Sequence, residues 1–311
     1  MSLLSFLKRF PDDDACWAHL EAVRWPHGPV CPKCGSVGDA HLVGRAHYRR
    51  CNACRAKFMV THGTPFEGTH LPMRLWFAAL CLVAASSKGV SSVKLGEHLG
   101  IGQKTAWFLG RRIRRMMEGD DGLLRGIVEV DETHLGGKKR TKGEASKRDP
   151  DDDQPVGRGG SRKAMVTVAT ERGGQARAAK GKTHSGRTIA GFVLGNVDRD
   201  GTVLAFDELP AYRWIGRKHP AHIEVNHLKG ECVRHDPHAP ATAHVNTAES
   251  FNATLKRAWV GVLHWFSIKH TDRYLDEAAF WWNARAQDAE QRLSALFSGR
   301  AGRLRWKELV A

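Results

Sequence analysis

Three acids, Asp131, Asp207 and Glu249, stand where local sequence patterns would bring carboxylates to a common point. Gly126-Ile-Val-Glu-Val-Asp131 is a short apolar run ending in an acid, and Thr202-Val-Leu-Ala-Phe-Asp207 repeats that pattern. Glu249 lies within His244-Val-Asn-Thr-Ala-Glu-Ser-Phe-Asn-Ala-Thr-Leu-Lys256, which reads as the start of a helix. Clustered acids repel, and burying them is costly unless a cation neutralises them. Two divalent ions about 3.5–4 Å apart, clamping the oxygens of a phosphodiester under attack, are the usual reason to gather such a set. The chemistry to expect is cutting and joining of nucleic acid.

Strand alternation chooses among neighbouring acids. Glu129 and Asp131 fall on one face of a strand and Glu132 on the other. Asp131 is expected at the strand's end, where metal sites lie, with Glu129 nearer the middle as an edge residue. The same argument favours Asp207 over Glu208. Glu249 has a second reading. Asn246-Thr-Ala-Glu249 has the form of a capping box, with Asn246 as N-cap and Glu249 reaching back. Beside two strand-end acids, the metal-ligand reading is preferred. Lys256 projects two turns later from the same helix face, placed either to meet a DNA phosphate or to rest in solvent.

Cys31-Pro-Lys-Cys34-Gly and Cys51-Asn-Ala-Cys54-Arg are two C-x₂-C pairs. Zinc takes four tetrahedral thiolates, and two such knuckles supply them without strain. An iron–sulfur cluster or a disulfide pair could use the same letters. The spacing, the short intervening segment and the compartment favour structural Zn²⁺ on Cys31, Cys34, Cys51 and Cys54. Lys33, Arg49, Arg50, Arg55 and Lys57 are placed to screen the site's negative charge. Cys16, Cys81 and Cys232 stand outside any pair and read as small buried hydrophobes.

These sites need elements to hold them. A helix is expected from Pro11-Asp-Asp-Asp to about Val23, since proline and acids both suit a helix start. Further helices are expected over 71–86, 90–99 and 103–117, then at about 185–196, 246–260 and 270–288. Strands are expected over 126–131, 163–170, 174–180, 202–207 and 221–226. Residues 138–162 form a charged, Gly-containing insert that reads as a loop. Val90 to Met117 has the layout of a DNA-binding helix-turn-helix around Gly100-Ile-Gly102. Gln103, Lys104 and Thr105 would read base edges, and Arg111, Arg112, Arg114 and Arg115 would hold phosphates. An ordinary helical hairpin is the alternative.

Composition agrees with a nucleic-acid partner. The 311 residues include 48 Lys+Arg against 33 Asp+Glu, a formal net charge of +15, which favours a polyanionic surface. At 41% hydrophobic and 26% charged residues the chain can build real cores. The densest apolar run, Leu75 to Ala85, falls short of the roughly 20 residues that span a bilayer. The first residues lack the layout of a secretory signal, so a reducing, nucleoid-associated cytoplasmic setting is expected.

Several runs carry a family resemblance: Cys31-Pro-x-Cys-Gly, Tyr48-Arg-Arg-Cys-Asn-Ala-Cys-Arg, Thr61-His-Gly-Thr-Pro-Phe-Glu, Lys104-Thr-Ala-Trp, Val130-Asp-Glu-Thr-His-Leu-Gly-Gly-Lys and Phe206-Asp-Glu. His244-Val-Asn-Thr-x-Glu-Ser-Phe, Leu255-Lys-Arg, Gly261-Val-Leu-His and Tyr274-Leu-Asp-Glu-x-x-Phe continue it. In order from about residue 10 to 290, they resemble the zinc-ribbon insertion-sequence transposases of bacteria. The resemblance implies an α/β RNase H-like DDE catalytic domain, a mixed sheet flanked by helices, preceded by a zinc ribbon and a helix-turn-helix region. It implies Asp131, Asp207 and Glu249 as ligands of two Mg²⁺ or Mn²⁺ ions and Lys256 as the lysine after the glutamate. Some relatives carry Asn as the third residue, which keeps Asn246 in view. Phe280-Trp-Trp-Asn stands where a pattern with Arg and Tyr is expected. The domains implied are an N-terminal helix (1–24), a zinc ribbon (25–60), a helix-turn-helix region (61–122), a catalytic domain (123–290) and a basic tail (291–311). Partners would be terminal inverted repeats, target DNA and further copies of the chain, as a homodimer or larger. The rival readings are a DNA-binding regulator and a host RNase H-like nuclease.

Overall fold

The computed structural model describes residues 3–44, 47–119, 122–136, 163–181, 185–207, 215–216, 219, 221–225, 233, 241–264, 266–298 and 302–310. The insert expected at 138–162 and Cys232 lie outside the described residues. The chain forms two compact units, one of Met1–Asp120 with Ala284–Ala311 and one of Asp121–Asn283.

In the first unit, α1 (Leu3–Arg9) precedes α2 (Asp13–Arg24), whose first turn is capped by Asp12 Oδ1 accepting from Ala15 N at 2.8 Å. Strands β1 (Ala40–Leu42), β2 (Tyr48–Cys51) and β3 (Lys57–Met59) form an antiparallel sheet in that order. Helices α3 (Met73–Ala85), α4 (Ser92–Leu99) and α5 (Gln103–Met117) follow. Ser91 caps α4, and Gly100 ends it in the left-handed conformation at φ 65°. Gly96 has no room for a side chain, since a Cβ there would meet Ile101 O at 2.8 Å. That close approach sets the turn between α4 and α5.

The second unit holds β4 (Leu124–Leu135), β5 (Ala164–Glu171), β6 (Ala176–Lys180), α6 (Gly186–Asn196), β7 (Val197–Asp207), β8 (Ala221–Val225), α7 (Asn246–Ala258) and α8 (Thr271–Asn283). The sheet order is β6-β5-β4-β7-β8. Strand β5 is antiparallel to both of its neighbours, β4 and β6, and β4, β7 and β8 are parallel. Ile189, Ala190 and Val193 of α6 pack with Val128, Val130, Leu204 and Phe206 on one face. Ala248, Phe251 and Leu255 of α7 and Leu275 of α8 pack with Leu135, Val166 and Val168 on the other. A sheet covered on both faces explains why β5 is apolar almost throughout. This is the expected α/β architecture, a mixed sheet flanked by helices.

Several features differ from expectation: β7 starts at Val197, and the helix expected over 270–288 stops at Asn283. Strand β4 does not stop at Asp131: it runs on beside β5 from Asp131↔Val168 to Leu135↔Ala164, because Thr133 and Leu135 continue its inward-facing alternation. The segment read as a basic tail carries α9 (Ala289–Ser298) and α10 (Trp306–Val310), which belong to the first unit. Phe297 of α9 packs against His19, Phe66 and Phe77, with ring centroids at 5.4, 6.4 and 4.9 Å.

Candidate active site and zinc centre

Register brings two of the acids together. The parallel pairing of β4 with β7 ends at Val130↔Phe206, so Asp131 and Asp207 are the next residues on adjacent strands, on the face that α7 covers. Burial pushes the Asp131 carboxyl up from its ordinary value, and the charges of Glu249 and Asp207 push it further. Hydrogen bonds from Glu132 N to Oδ1 and from Asn252 Nδ2 to Oδ2, both 2.7 Å, act in the opposite direction. Asp131 is thus near enough to feel both of the other acids. Glu249 is exposed on the first turn of α7, and Lys256 is exposed two turns on. The buried Oδ1 of Asn252 has no hydrogen-bond partner among the described residues, leaving an acceptor beside Asp131. Carboxylates with such an acceptor are the donor types that hard divalent cations take, although among the described residues the three acids are not drawn into a metal-holding group as the cysteines are.

The capping-box reading of Glu249 is overturned. Asn246 is the first residue of α7, Val245 is the N-cap, and it makes no side-chain cap hydrogen bond. The helix start is held by Glu129 instead. Thr247 N and Ala248 N donate to its Oε2 at 2.7 and 3.0 Å, and Thr247 Oγ1 donates to Oε1 at 3.1 Å. Arg172 Nε donates to Oε1 at 2.6 Å, and His244 Nδ1 lies 3.0 Å away. Glu129, expected as an edge residue, is therefore fully buried at 0% exposure. A carboxylate there suits the positive end of a helix, and removing one partner of such a buried pair costs about 3–5 kcal/mol.

The four cysteines converge as expected. Cys31 Sγ lies 3.5 Å from Cys54 Sγ and Cys34 Sγ 3.6 Å from Cys51 Sγ. All four sulfurs fall within 4.8 Å of one another, the one such His, Cys, Asp or Glu group of three or more found among the described residues. A tetrahedron with Zn–S of about 2.3 Å sets sulfurs about 3.8 Å apart, so the set fits zinc. The two knuckles share one backbone pattern. Cys31 N donates to Ser36 O and Gly35 N to Cys31 O, and likewise Cys51 N to Ala56 O and Arg55 N to Cys51 O. Gly35 and Arg55, at matching positions, both take positive φ.

Residues 123–283 match the ISXO2-like transposase domain, and residues 11–57 match the transposase zinc-ribbon domain. The chain belongs to the ISXO2-like transposases. It is similar to a protein described as "Uncharacterized protein in transposable element ISH50" from Halobacterium salinarum, at 26% identity over 260 residues, 82% of this chain and 85% of the relative. Among solved structures, the Mos1 strand transfer complex matches with 16% identity over 72% of this chain and 78% of that one, at a TM-score of 0.29. A pre-cleavage Mos1 transpososome matches with 15% identity over 72% and 79%, at a TM-score of 0.26. The protein is a DNA transposase, and its ribbon cysteines form a structural zinc site.

In the transposase, the helix expected to meet DNA is built differently from its sequence reading. Gln103, Lys104 and Thr105 are exposed at the start of α5. Arg111 and Arg112 are not offered to phosphate, being 1% and 4% exposed. The Arg111 guanidinium lies over Trp107. Arg112 sits over Trp76 and Phe108 and donates to Glu67 O at 2.6 Å. Burial, with Arg303 nearby, pulls Arg112 down to about 10. Arg114 is also buried, and Arg115 pairs with Glu118. Aromatic residues spaced three or four positions from these arginines, or folded onto them, turn the basic run inward. Lys104 Nζ lies 5.1 Å over the ring of Trp306. Arg49, expected to screen the zinc thiolates, pairs with Glu21 at 2.7 Å. Among the described residues no helix is long and apolar enough to cross a membrane.

Two positions that bear on the acids escaped the sequence reading: Asn252 as a partner of Asp131, and Glu129 as the cap of α7. A signal existed for each. Glu129 shares the Asp131 face, and Asn252 lies one turn beyond Glu249.

Proposed function

We propose that the transposase is a DDE enzyme in which Asp131, Asp207 and Glu249 hold two Mg²⁺ or Mn²⁺ ions. The observation that carries this is the β4–β7 register, which ends at Val130↔Phe206 and sets Asp131 and Asp207 side by side under α7, with the charges of Glu249 and Asp207 both reaching Asp131. When bound, such ions lower the pKa of a water or a DNA 3′-hydroxyl and neutralise charge on the leaving oxygen. The protein's own part is positioning. Asn252 and Glu132 N orient both oxygens of Asp131, and the ammonium of Lys256 meets a DNA phosphate. Attack on phosphorus then needs alignment more than side-chain proton transfer. In the first reaction, water forms a P–O bond as the strand's P–O3′ bond breaks, freeing the element's 3′-hydroxyl. In the second, that hydroxyl bonds to a target phosphorus, the target's own 3′ oxygen leaves, and the attacking proton passes to solvent. Gln103, Lys104 and Thr105, with the zinc ribbon, would recognise the terminal inverted repeats. Two ends must be handled together, so a homodimer or larger assembly would form on DNA in the cell's nucleoid.

Incubating a labelled terminal repeat with target plasmid and Mg²⁺ tests this reading. A covalent end–target product is expected. Nicked strands without that product would instead mark a nuclease, and DNA binding without any cut a regulator.

A further inference from the structure

The local sequence around Glu249 is suited to a capping box, and the fold declines to use it. Glu129 reaches from β4 and takes two of the free first-turn amides of α7, those of Thr247 and Ala248. Its two oxygens also engage Thr247 Oγ1 and Arg172 Nε, with His244 Nδ1 at 3.0 Å. Arg172 in turn donates to His244 O at 2.9 Å, tying down the residue two before the helix. One turn past Glu249, Asn252 Nδ2 holds Asp131 Oδ2 at 2.7 Å. Helix α7 is therefore pinned to β4 at two points, and Glu249 lies between them.

We propose that Glu129 is a positioning residue of the transposase: by capping α7 in place of the Asn246–Glu249 box, it leaves the Glu249 carboxylate to the acidic site and fixes where that carboxylate points. Had Glu249 closed its own helix, its oxygens would have turned back to the Asn246 amide. The same alternation that puts Asp131 toward the site puts Glu129 under the helix start, two residues earlier on the strand. A strand thus supplies one acid to the chemistry and another to the helix that delivers the chemistry's third acid. This inference rests on Glu249 being a metal ligand.

The test uses zinc-loaded, full-length protein and Mn²⁺ as the probe. Three variants are compared with wild type: Glu129→Gln, Thr247→Val and Glu249→Gln. Calorimetry measures Mn²⁺ binding without DNA, and amide exchange follows Thr247 and Ala248. Groups that orient a metal's ligands typically contribute about 10–100-fold in metal affinity, so Glu129→Gln is expected to weaken Mn²⁺ binding at least about tenfold. Exchange at both amides should speed up, and cleavage should recover in part as Mn²⁺ is raised. Thr247→Val removes only the hydroxyl donor and should shift both readouts the same way by less, roughly threefold, as a single lost hydrogen bond would. It decides the question if Glu129→Gln does not fold. Glu249→Gln should stay inactive at saturating Mn²⁺ with both amides still protected. Wild-type Mn²⁺ affinity in folded Glu129→Gln and Thr247→Val, beside an inactive Glu249→Gln, would overturn the positioning role alone. An active Glu249→Gln would overturn the ligand reading on which it stands.

Discussion

Arginine and lysine on α5 look alike in the sequence, yet burial divides them. Lys104 is exposed at the helix start, whereas Arg112 is packed over Trp76 and Phe108. Lys104→Ala is expected to weaken binding to the terminal repeat and to lower the salt slope by about 0.9, the share of one phosphate contact. Arg112→Ala should leave that slope unchanged and cost about 2–5 kcal/mol of stability, as for other large-to-small changes in a core. Filter binding across a salt series and urea denaturation separate the two. An unchanged slope in Lys104→Ala would remove it from the DNA interface. The sequence could not make this division, because the rings over Arg112 come from distant positions as well as from its own helix. Asp131 and Asp207 were legible because each closes an apolar run. Glu129 was not, since its partners at Arg172, His244 and Thr247 become neighbours only when the sheet forms. Of the unpaired cysteines expected as small buried hydrophobes, Cys81 is only half-buried. Cys16 is fully buried, and burial, with Asp13 adding to it, pushes its thiol up to about 12.

Elements were more legible than their partners. Helices α2 to α5 and strands β5, β6 and β8 fall close to their expected bounds, whereas β4 and β7 run longer, over Leu124–Leu135 and Val197–Asp207. Helix α9 lies outside the expected helices, although Leu293, Leu296 and Phe297 stand at helical spacing and are all buried. That helix completes a core around His19, whose ring meets Phe10, Phe77 and Phe297 at 5.2, 5.8 and 5.4 Å. Burial, and then Arg9, lowers the His19 pKa from its ordinary 6.5. The unfolded chain therefore binds this proton more readily than the folded one. Stability should be complete above the ordinary value and fall as pH drops through the lowered one. Melting temperatures between about pH 7.5 and pH 5 should show a smaller acid loss in His19→Phe than in wild type. Equal losses would show that His19 contributes nothing. The ribbon is the opposite case, an element whose strands are too short to stand alone. Chelating zinc, or Cys34→Ser, should unfold residues 31–54, because metal binding there is folding free energy. Amide exchange checks this, and unchanged protection without metal would contradict it.

At the scale of the whole molecule, the chain leaves its first unit at Asp120, builds the second, and returns at Ala284. The sequence reading placed the end of the catalytic domain at 290, whereas the compact unit ends at Asn283, the residue where the transposase-domain match also ends. Asn283 itself marks the edge: its Oδ1 accepts from Ala176 N of β6 at 2.8 Å. A net charge of +15 belongs to a protein whose partner is DNA. The chemistry proposed for it depends on one helix residue more than on any strand. Glu249→Gln keeps the side chain's size and removes its charge, and the α7 cap that Glu129 supplies is untouched. The deciding measurement is nicking and strand transfer on a labelled terminal repeat in Mg²⁺, with Asp131→Asn and Asp207→Asn run beside it and DNA binding measured on each. All three variants should bind the repeat as wild type does and lose both products by several orders of magnitude, since catalytic metal ions supply several kcal/mol of transition-state stabilisation. Wild-type turnover by Glu249→Gln, with the two aspartate variants inactive, would contradict the account and move the third-ligand role to Asn246.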